Sequence, residues 1–142
     1  MVGSLFTEEI RRQIRTIAQR HSLRLVLAFG SAVSGKIHES SDMDIAVLTD
    51  EAEVSLKQFS DVAAELQGLF PGIEVDLVII NHADPLFLKK IVDDSELLYG
   101  DRRTFLEFKI YAYKRYVDHK PFLKMEKQFA VEQTKRLKRA AG

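Results

Sequence analysis

Apolar residues recur at helical spacing in some parts of the chain and form short continuous runs in others. Ile10, Ile14 and Ile17 share one face of a helix that we predict from Thr7 to about His21. The run Leu23–Phe29 is almost wholly apolar and predicts a strand. The chain is therefore expected to begin with a helix followed by a strand.

The same two patterns alternate through the rest of the chain. Ile73–Ile80 is the run richest in strand-forming residues, so we expect a central strand there. After Asp101 strand signals vanish and aromatic residues recur at helical spacing, with Pro121 expected to start a second helix. The remaining predictions are strands over Met43–Leu48 and Glu96–Tyr99, and helices over about Glu53–Phe70, Pro85–Val92, 101–118 and Pro121–Arg139.

This order of elements indicates an α/β (α+β) fold in which a mixed β-sheet is packed with helices. A chain of 142 residues can bury about two-thirds of its unfolded surface, so we expect residues 1–142 to form a single domain. Residues 1–100 would form its α/β core, and residues 101–142 would form a C-terminal helical tail.

Composition and charge narrow the range of functions. The 21 basic and 21 acidic side chains cancel, so no overall field attracts nucleic acid or an anionic membrane, and we expect neither as a partner. The absence of cysteine excludes disulfides, thiolate metal sites and a cysteine nucleophile. No apolar run is long enough for a signal peptide or a membrane span, which favours a cytoplasmic protein.

A phosphate site is predicted where the first strand ends. Gly30 lets the backbone approach an anion closely, and the amides of a helix start would point at that anion. Ser31 adds a hydroxyl donor to this turn. An ordinary glycine-serine turn without a ligand is the structural alternative.

Asp42 and Asp44 stand two residues apart at the start of an apolar run, so their side chains project on one face of a strand. At a separation of roughly 4 Å two carboxylates repel by about 4 kcal/mol when the effective dielectric constant is near 20. Such a pair favours a bound cation, and magnesium prefers oxygen ligands and substrate phosphates. The alternative is a solvated turn capped by Asp42.

Asp76 interrupts the apolar run Ile73–Ile80, where a buried and unpaired carboxylate would be costly. It is either part of a functional site, exposed on an edge strand, or paired with a basic side chain. The glycine turn, the acidic pair and this third acid are together more informative than any one of them.

The spacing of Gly30-Ser31, Asp42-x-Asp44 and a later strand acid at Asp76 resembles the nucleotidyltransferase superfamily of DNA polymerase β and kanamycin nucleotidyltransferase. The short chain is most similar to the minimal nucleotidyltransferases (MNT), which pair with HEPN toxins. The resemblance implies that Asp42, Asp44 and Asp76 are catalytic and bind two magnesium ions. It also implies that the triphosphate of ATP binds at the turn, at the positions Gly30, Ser31, Lys36 and Ser41.

This resemblance implies an adenylyltransferase antitoxin that transfers AMP from ATP to a tyrosine of a HEPN ribonuclease toxin. In the loop after Ser31, many relatives carry arginines where this chain has Lys36 as its first cation. That departure keeps open a non-catalytic antitoxin that neutralises the toxin by binding alone. A third alternative keeps the chemistry and transfers the nucleotide to a small molecule or an RNA.

Overall fold

Helices and strands alternate as the sequence predicts. The computed structural model describes residues 5–30, 33 and 42–141. These residues form α1 (Glu8–Arg20), β1 (Leu23–Phe29), β2 (Met43–Thr49), α2 (Leu56–Gln67), β3 (Val75–Ile79), α3 (Pro85–Asp93), β4 (Ser95–Tyr99) and α4 (Arg102–Ala141). The predicted mixture of helices with a sheet and a helical tail is confirmed.

Three helices begin at side chains that cap their first turn. The side chains of Thr7, Ser55 and Asp84 accept hydrogen bonds from the backbone amides of Ile10, Gln58 and Phe87. Each bond satisfies an amide that has no partner within its own helix. Local sequence therefore determines where α1, α2 and α3 start.

The strands form one mixed sheet in the order β3-β2-β1-β4. β1 pairs antiparallel with β2 and with β4, whereas β2 pairs in parallel with β3. The expectation that Ile73–Ile80 is a central strand is wrong, because β3 lies at an edge of the described sheet. The apolar residues of this run pack against helices on both faces of the sheet. The run is apolar because both faces of β3 are covered, and it does not indicate a strand on each side of β3.

Helices cover both faces of the sheet. On one face, Ile14 and Ile17 of α1 and Leu66 of α2 are buried in a cluster with Val26 and Ile45. On the other face, buried residues of α3 and α4 pack on the strands; they include Leu88, Ile91, Phe105, Phe108 and Ala112, against Leu25, Leu27, Phe29 and Ala46. The second face matters most here, because it also bears the acids described below.

α4 is one continuous helix of 40 residues, so the predicted break before Pro121 is wrong. Proline removes one backbone hydrogen bond, but the strong helix formers around it allow the helix to continue. Its buried residues are Phe105, Phe108 and Ala112, all in the first three turns. None of the helices in the described ranges combines the length and apolar character needed to cross a bilayer.

Candidate active site

Two of the predicted acids lie directly opposite each other in the sheet. The parallel register of β2 and β3 pairs Asp44 with Asp76, and neighbouring strands are about 4.8 Å apart. Asp42 precedes Asp44 by two residues and therefore leans toward the same side. Folding thus collects three carboxylates from two segments that are separated by about thirty residues of sequence.

The acids share the face of the sheet on which α3 and α4 pack. Met43 and Ile45 of β2, and Val75 and Leu77 of β3, belong to the opposite cluster with α1 and α2. Because side chains alternate along a strand, the intervening acids project toward the α3 side. The acids lie at the N-terminal end of β2, beside the C-terminal end of β1.

Backbone contacts fix this register. The amide of Met43, which stands between Asp42 and Asp44, donates to the carbonyl of Glu74 at 2.7 Å. This bond joins the start of β2 to the residue just before β3. The side chain of Gln67, at the end of α2, accepts from the amide of Val75 at 2.9 Å and donates to the carbonyl of Ile73 at 2.6 Å. Gln67 therefore positions the strand residue that precedes Asp76.

The exposure of the acids differs from the sequence-based expectation. Asp44 is partly buried, whereas Asp42 and Asp76 are exposed. Asp76 takes the edge position that was the structural alternative, so the cost of burial gives no reason for its presence. Its position opposite Asp44 is the observation that links it to the site.

The three carboxylates interact electrostatically. Partial burial raises the pKa of Asp44, and the nearby charges of Asp76 and Asp42 raise that pKa further. The charge of Lys90, on α3, acts in the opposite direction and lowers it. The cluster therefore disfavours a negative charge on Asp44 unless a cation is present.

Gly30 allows β1 to end in contact with this cluster. Its φ of +72° lies in the left-handed region, and a Cβ atom at this position would be 2.6 Å from Oδ2 of Asp44. Glycine suits this position for two reasons: its backbone conformation favours glycine, and a Cβ atom would oblige the Asp44 carboxylate to move. Gly30, the first residue of the turn predicted as a phosphate site, thus lies against Asp44.

The carboxylates suit magnesium as a ligand pair. Within the described ranges, no group of three or more histidine or acidic side chains is arranged to hold a metal ion. Magnesium usually takes one or two protein carboxylates and completes its octahedral shell with water and substrate phosphates. Asp42 and Asp44 supply that number of carboxylates on one side of the strand start, and a divalent ion would relieve the repulsion on Asp44.

Three of the predicted nucleotide-binding residues, Ser31, Lys36 and Ser41, lie outside the described residues.

Two further residues around the site were not predicted from the sequence. Lys90 and Gln67 were missed because a lysine or glutamine on an amphipathic helix carries no local signal of its distant neighbour. Gln67 becomes evident only once α2 packs against the start of β3, and Lys90 only once α3 packs on the face that bears the acids.

A cleft at the opposite end of the sheet is a weaker candidate. It has a volume of about 710 Å³ and lies next to Arg11, Arg15 and Arg24. Arg11 is paired with Glu96, and Arg24 is paired with Asp50. Because two of its three cations are already neutralised and none of the clustered acids lines it, this cleft does not belong to the candidate active site.

Replacing Gly30 should be more damaging than replacing a second left-handed glycine. Gly72 has a φ of +83°, but a Cβ atom added there would meet no atom within 4 Å, so Gly72→Ala adds backbone strain alone, about 1–2 kcal/mol. Gly30→Ala adds the same strain and must also displace the Asp44 carboxylate. We expect a larger loss of unfolding free energy for Gly30→Ala in urea denaturation; equal losses in the two variants would contradict this geometry.

Asp44→Asn should stabilise the metal-free protein at neutral pH. The raised pKa means that the folded state binds more protons than the unfolded state between the unfolded and folded pKa values, so stability falls as pH rises through that window. The variant lacks this loss, and its melting temperature without divalent ions should exceed that of the unaltered chain at pH 7. The difference should shrink below the ordinary pKa of aspartate.

The matched control is Asp61→Asn, which alters an exposed acid on α2 outside the cluster. Its melting temperature should equal that of the unaltered chain. A lower melting temperature for Asp44→Asn, measured by circular dichroism in the presence of a chelator, would contradict the idea that burial and the neighbouring acids disfavour the charged carboxylate.

The glycine turn and the acids fall within a region that matches a known protein family. The family model described as "Polymerase beta, Nucleotidyltransferase" matches residues 12–104. The protein adenylyltransferase MntA of Aphanizomenon flos-aquae is 29% identical over 98 residues, which cover 62% of this chain and 64% of the relative. The chain thus spans a little under two-thirds of that relative's length.

Two solved structures share the fold. A crystal structure described as a toxin-antitoxin with AMP-PNP superimposes with a TM-score of 0.67 at 22% identity, over 87% of this chain and 97% of the other. A chain from a complex of a tri-AMPylated Shewanella oneidensis HEPN toxin with an MNT antitoxin gives a TM-score of 0.64 at 20% identity, over 94% and 98%.

The family match covers more than half of the chain and includes every element that bears the candidate site. The agreement between that match, the nucleotidyltransferase spacing of the motif and the shared fold leads to one conclusion. The chain belongs to the polymerase β nucleotidyltransferase family.

Proposed function

We propose that this protein is a magnesium-dependent adenylyltransferase that acts as an antitoxin. It transfers AMP from ATP to a tyrosine of a HEPN ribonuclease toxin and thereby silences the toxin. The observation that carries the proposal is the cluster of Asp42, Asp44 and Asp76 against Gly30, in which burial and then the neighbouring charges raise the pKa of Asp44. The similarity to MntA and to toxin-antitoxin structures supports the choice of acceptor.

The reaction breaks a phosphoanhydride bond of ATP and forms a phosphodiester bond to the acceptor. The hydroxyl oxygen of the acceptor attacks the α-phosphorus of ATP, the bond from that phosphorus to the bridging oxygen of the β-phosphate breaks, and pyrophosphate leaves. The proton of the hydroxyl passes to the carboxylate of Asp76. Asp76 is suited to this role because it is exposed on an edge strand, where a protein acceptor can reach it.

The remaining site residues hold the nucleotide. Asp42 and Asp44 would hold two magnesium ions, with Asp76 as an additional ligand. When bound, such ions would neutralise charge on the phosphates and stabilise the attacking and leaving oxygens. Gly30, Ser31, Lys36 and Ser41 would hold the triphosphate. Because the reaction consumes ATP, the proposal places the protein in the cytoplasm.

The distal part of α4 supports a protein partner. Phe122, Met125 and Phe129 are 59%, 63% and 64% exposed and share one helix face. Between residues 120 and 141 there are seven basic side chains and two acidic ones. Two such basic helices repel each other, so this surface fits an acidic and apolar face of a different chain, which we take to be the toxin.

The same surface favours a second function, in which the antitoxin neutralises the toxin by binding without catalysis. Phe122, Met125 and Phe129 would supply the buried apolar centre of such an interface. Binding and transfer make different predictions for the acids, because a purely binding antitoxin does not need them.

Replacing the acids with asparagine should strongly lower the rate of AMP transfer and leave toxin binding unchanged. With ATP, magnesium and the toxin, the unaltered chain should add adenylate units of about 329 Da to the toxin by mass spectrometry, a mass fixed by the chemistry of AMP transfer. Asp42→Asn and Asp76→Asn should each lower the transfer rate at least about 100-fold. The control Asp61→Asn should transfer at the normal rate.

The outcomes separate the two functions. No adenylate on the toxin, with full neutralisation by the Asp42→Asn and Asp44→Asn double variant, would leave binding as the function. Transfer to an RNA or to a small molecule in place of the toxin would contradict the proposed acceptor.

Removing the apolar face of α4 should weaken toxin binding. The triple variant Phe122→Ser, Met125→Ser and Phe129→Ser should bind the toxin at least about 30-fold more weakly, since one aromatic anchor alone contributes about 2 kcal/mol. Stability should change little, because these side chains are exposed in the free chain. Calorimetric titration with the toxin measures the affinity.

Val131→Ser is the matched control, since Val131 is exposed on the same helix at about 180° from Phe122. It should bind the toxin with unchanged affinity. Equal binding by the triple variant would contradict the docking surface, and a dimer of the unaltered chain that the triple variant loses would assign the surface to a second copy.

A further inference from the structure

A cation from α3 lies beside the acids and has no ion-pair partner among the described side chains. The neighbouring Lys89 donates to Asp93 at 2.5 Å and lies 5.0 Å from the ring centre of Tyr116. Lys90, the next residue, is exposed, and no described carboxylate forms an ion pair with it. Two adjacent lysines are thus placed in different environments.

Packing of α3 fixes the position of Lys90. Leu88 and Ile91 are buried, which sets the rotation of the helix on the sheet. One turn before Lys90, the ring of Phe87 meets the ring of Phe29 edge to face, with centroids 6.1 Å apart. Phe29 is the register partner of Asp44, so the Phe87 and Lys90 side of α3 adjoins the acids. The influence of Lys90 on the pKa of Asp44 agrees with this placement.

The site with its nucleotide and ions would carry excess negative charge, which a further cation would offset. Three carboxylates and a nucleoside triphosphate bring more negative charge than two divalent ions neutralise. The chain carries Lys36 as the first cation in the loop after Gly30, where an arginine fork would hold phosphate more firmly. A lysine amine on a flexible stem can reach phosphate oxygens that lie between α3 and the strand ends.

We propose that Lys90 binds the polyphosphate chain of the nucleotide, as a phosphate-binding residue that α3 contributes to the site. This inference rests on the proposed function, since it assumes a nucleoside triphosphate beside Asp42 and Asp44. The amine donates to non-bridging oxygens of the phosphates beyond the α-phosphate, which become the leaving pyrophosphate. AMP lacks these phosphates and gains little from Lys90.

The test compares Lys90→Ala with Lys89→Ala in the full chain. Binding of a non-hydrolysable ATP analogue and of AMP is measured by calorimetry with magnesium. Lys90→Ala should weaken binding of the analogue about tenfold and change binding of AMP by less than about twofold. Lys89→Ala should bind both nucleotides as the unaltered chain does, and Lys90→Arg should retain most of the affinity for the analogue.

Three results would overturn the inference. The first is an equal loss of affinity for the analogue and for AMP in Lys90→Ala, and the second is the same loss in Lys89→Ala. The third is unchanged affinity for the analogue in Lys90→Ala, which, together with tighter magnesium binding, would limit Lys90 to an effect on the acids. If the unaltered chain binds no triphosphate, the proposed function fails as well; if it binds triphosphate equally with and without Lys90, this inference alone fails.

Discussion

The parallel pairing of β2 with β3 is the constraint on which the rest of the site depends. Its register places Asp44 opposite Asp76, and the alternation of side chains brings Asp42 to the same side. A shift by one residue would turn the acids of one strand to the opposite face and destroy the cluster. The bond from Met43 to Glu74 and the contacts of Gln67 hold this register. These contacts therefore keep the three acids together.

The fold holds like charges together by placing them at the end of a well-packed sheet. Both faces of the sheet are buried under helices, and the two apolar clusters supply the stability against which the repulsion at Asp44 acts. Gly30 brings the end of β1 against the Asp44 carboxylate without a side chain between them. Charge repulsion in the metal-free state and affinity for a cation are then two consequences of one arrangement.

The limits of several helices and strands were predictable from the sequence because they depend on local residues. The run Leu23–Phe29 has the predicted strand limits, and Asp84 caps the helix that begins at Pro85. The position of β3 at an edge was not predictable, since an apolar run reports covered faces and not the number of neighbouring strands. Continuity of α4 through Pro121 was also missed, and so was Lys90, whose relation to Asp44 arises only from packing of α3 on the sheet. The motif residues were found because their spacing resembles that of a family.

The central claim is that Asp42 and Asp44 hold a divalent ion beside Gly30. Anomalous scattering from crystals grown with Mn²⁺ and a non-hydrolysable ATP analogue tests it directly. The account predicts a manganese peak at about 2.1–2.2 Å from carboxylate oxygens of both aspartates, close to the magnesium–oxygen distance, with the phosphates on the side of Gly30. Manganese bound elsewhere, with both carboxylates left in solvent while the analogue is present, would contradict it.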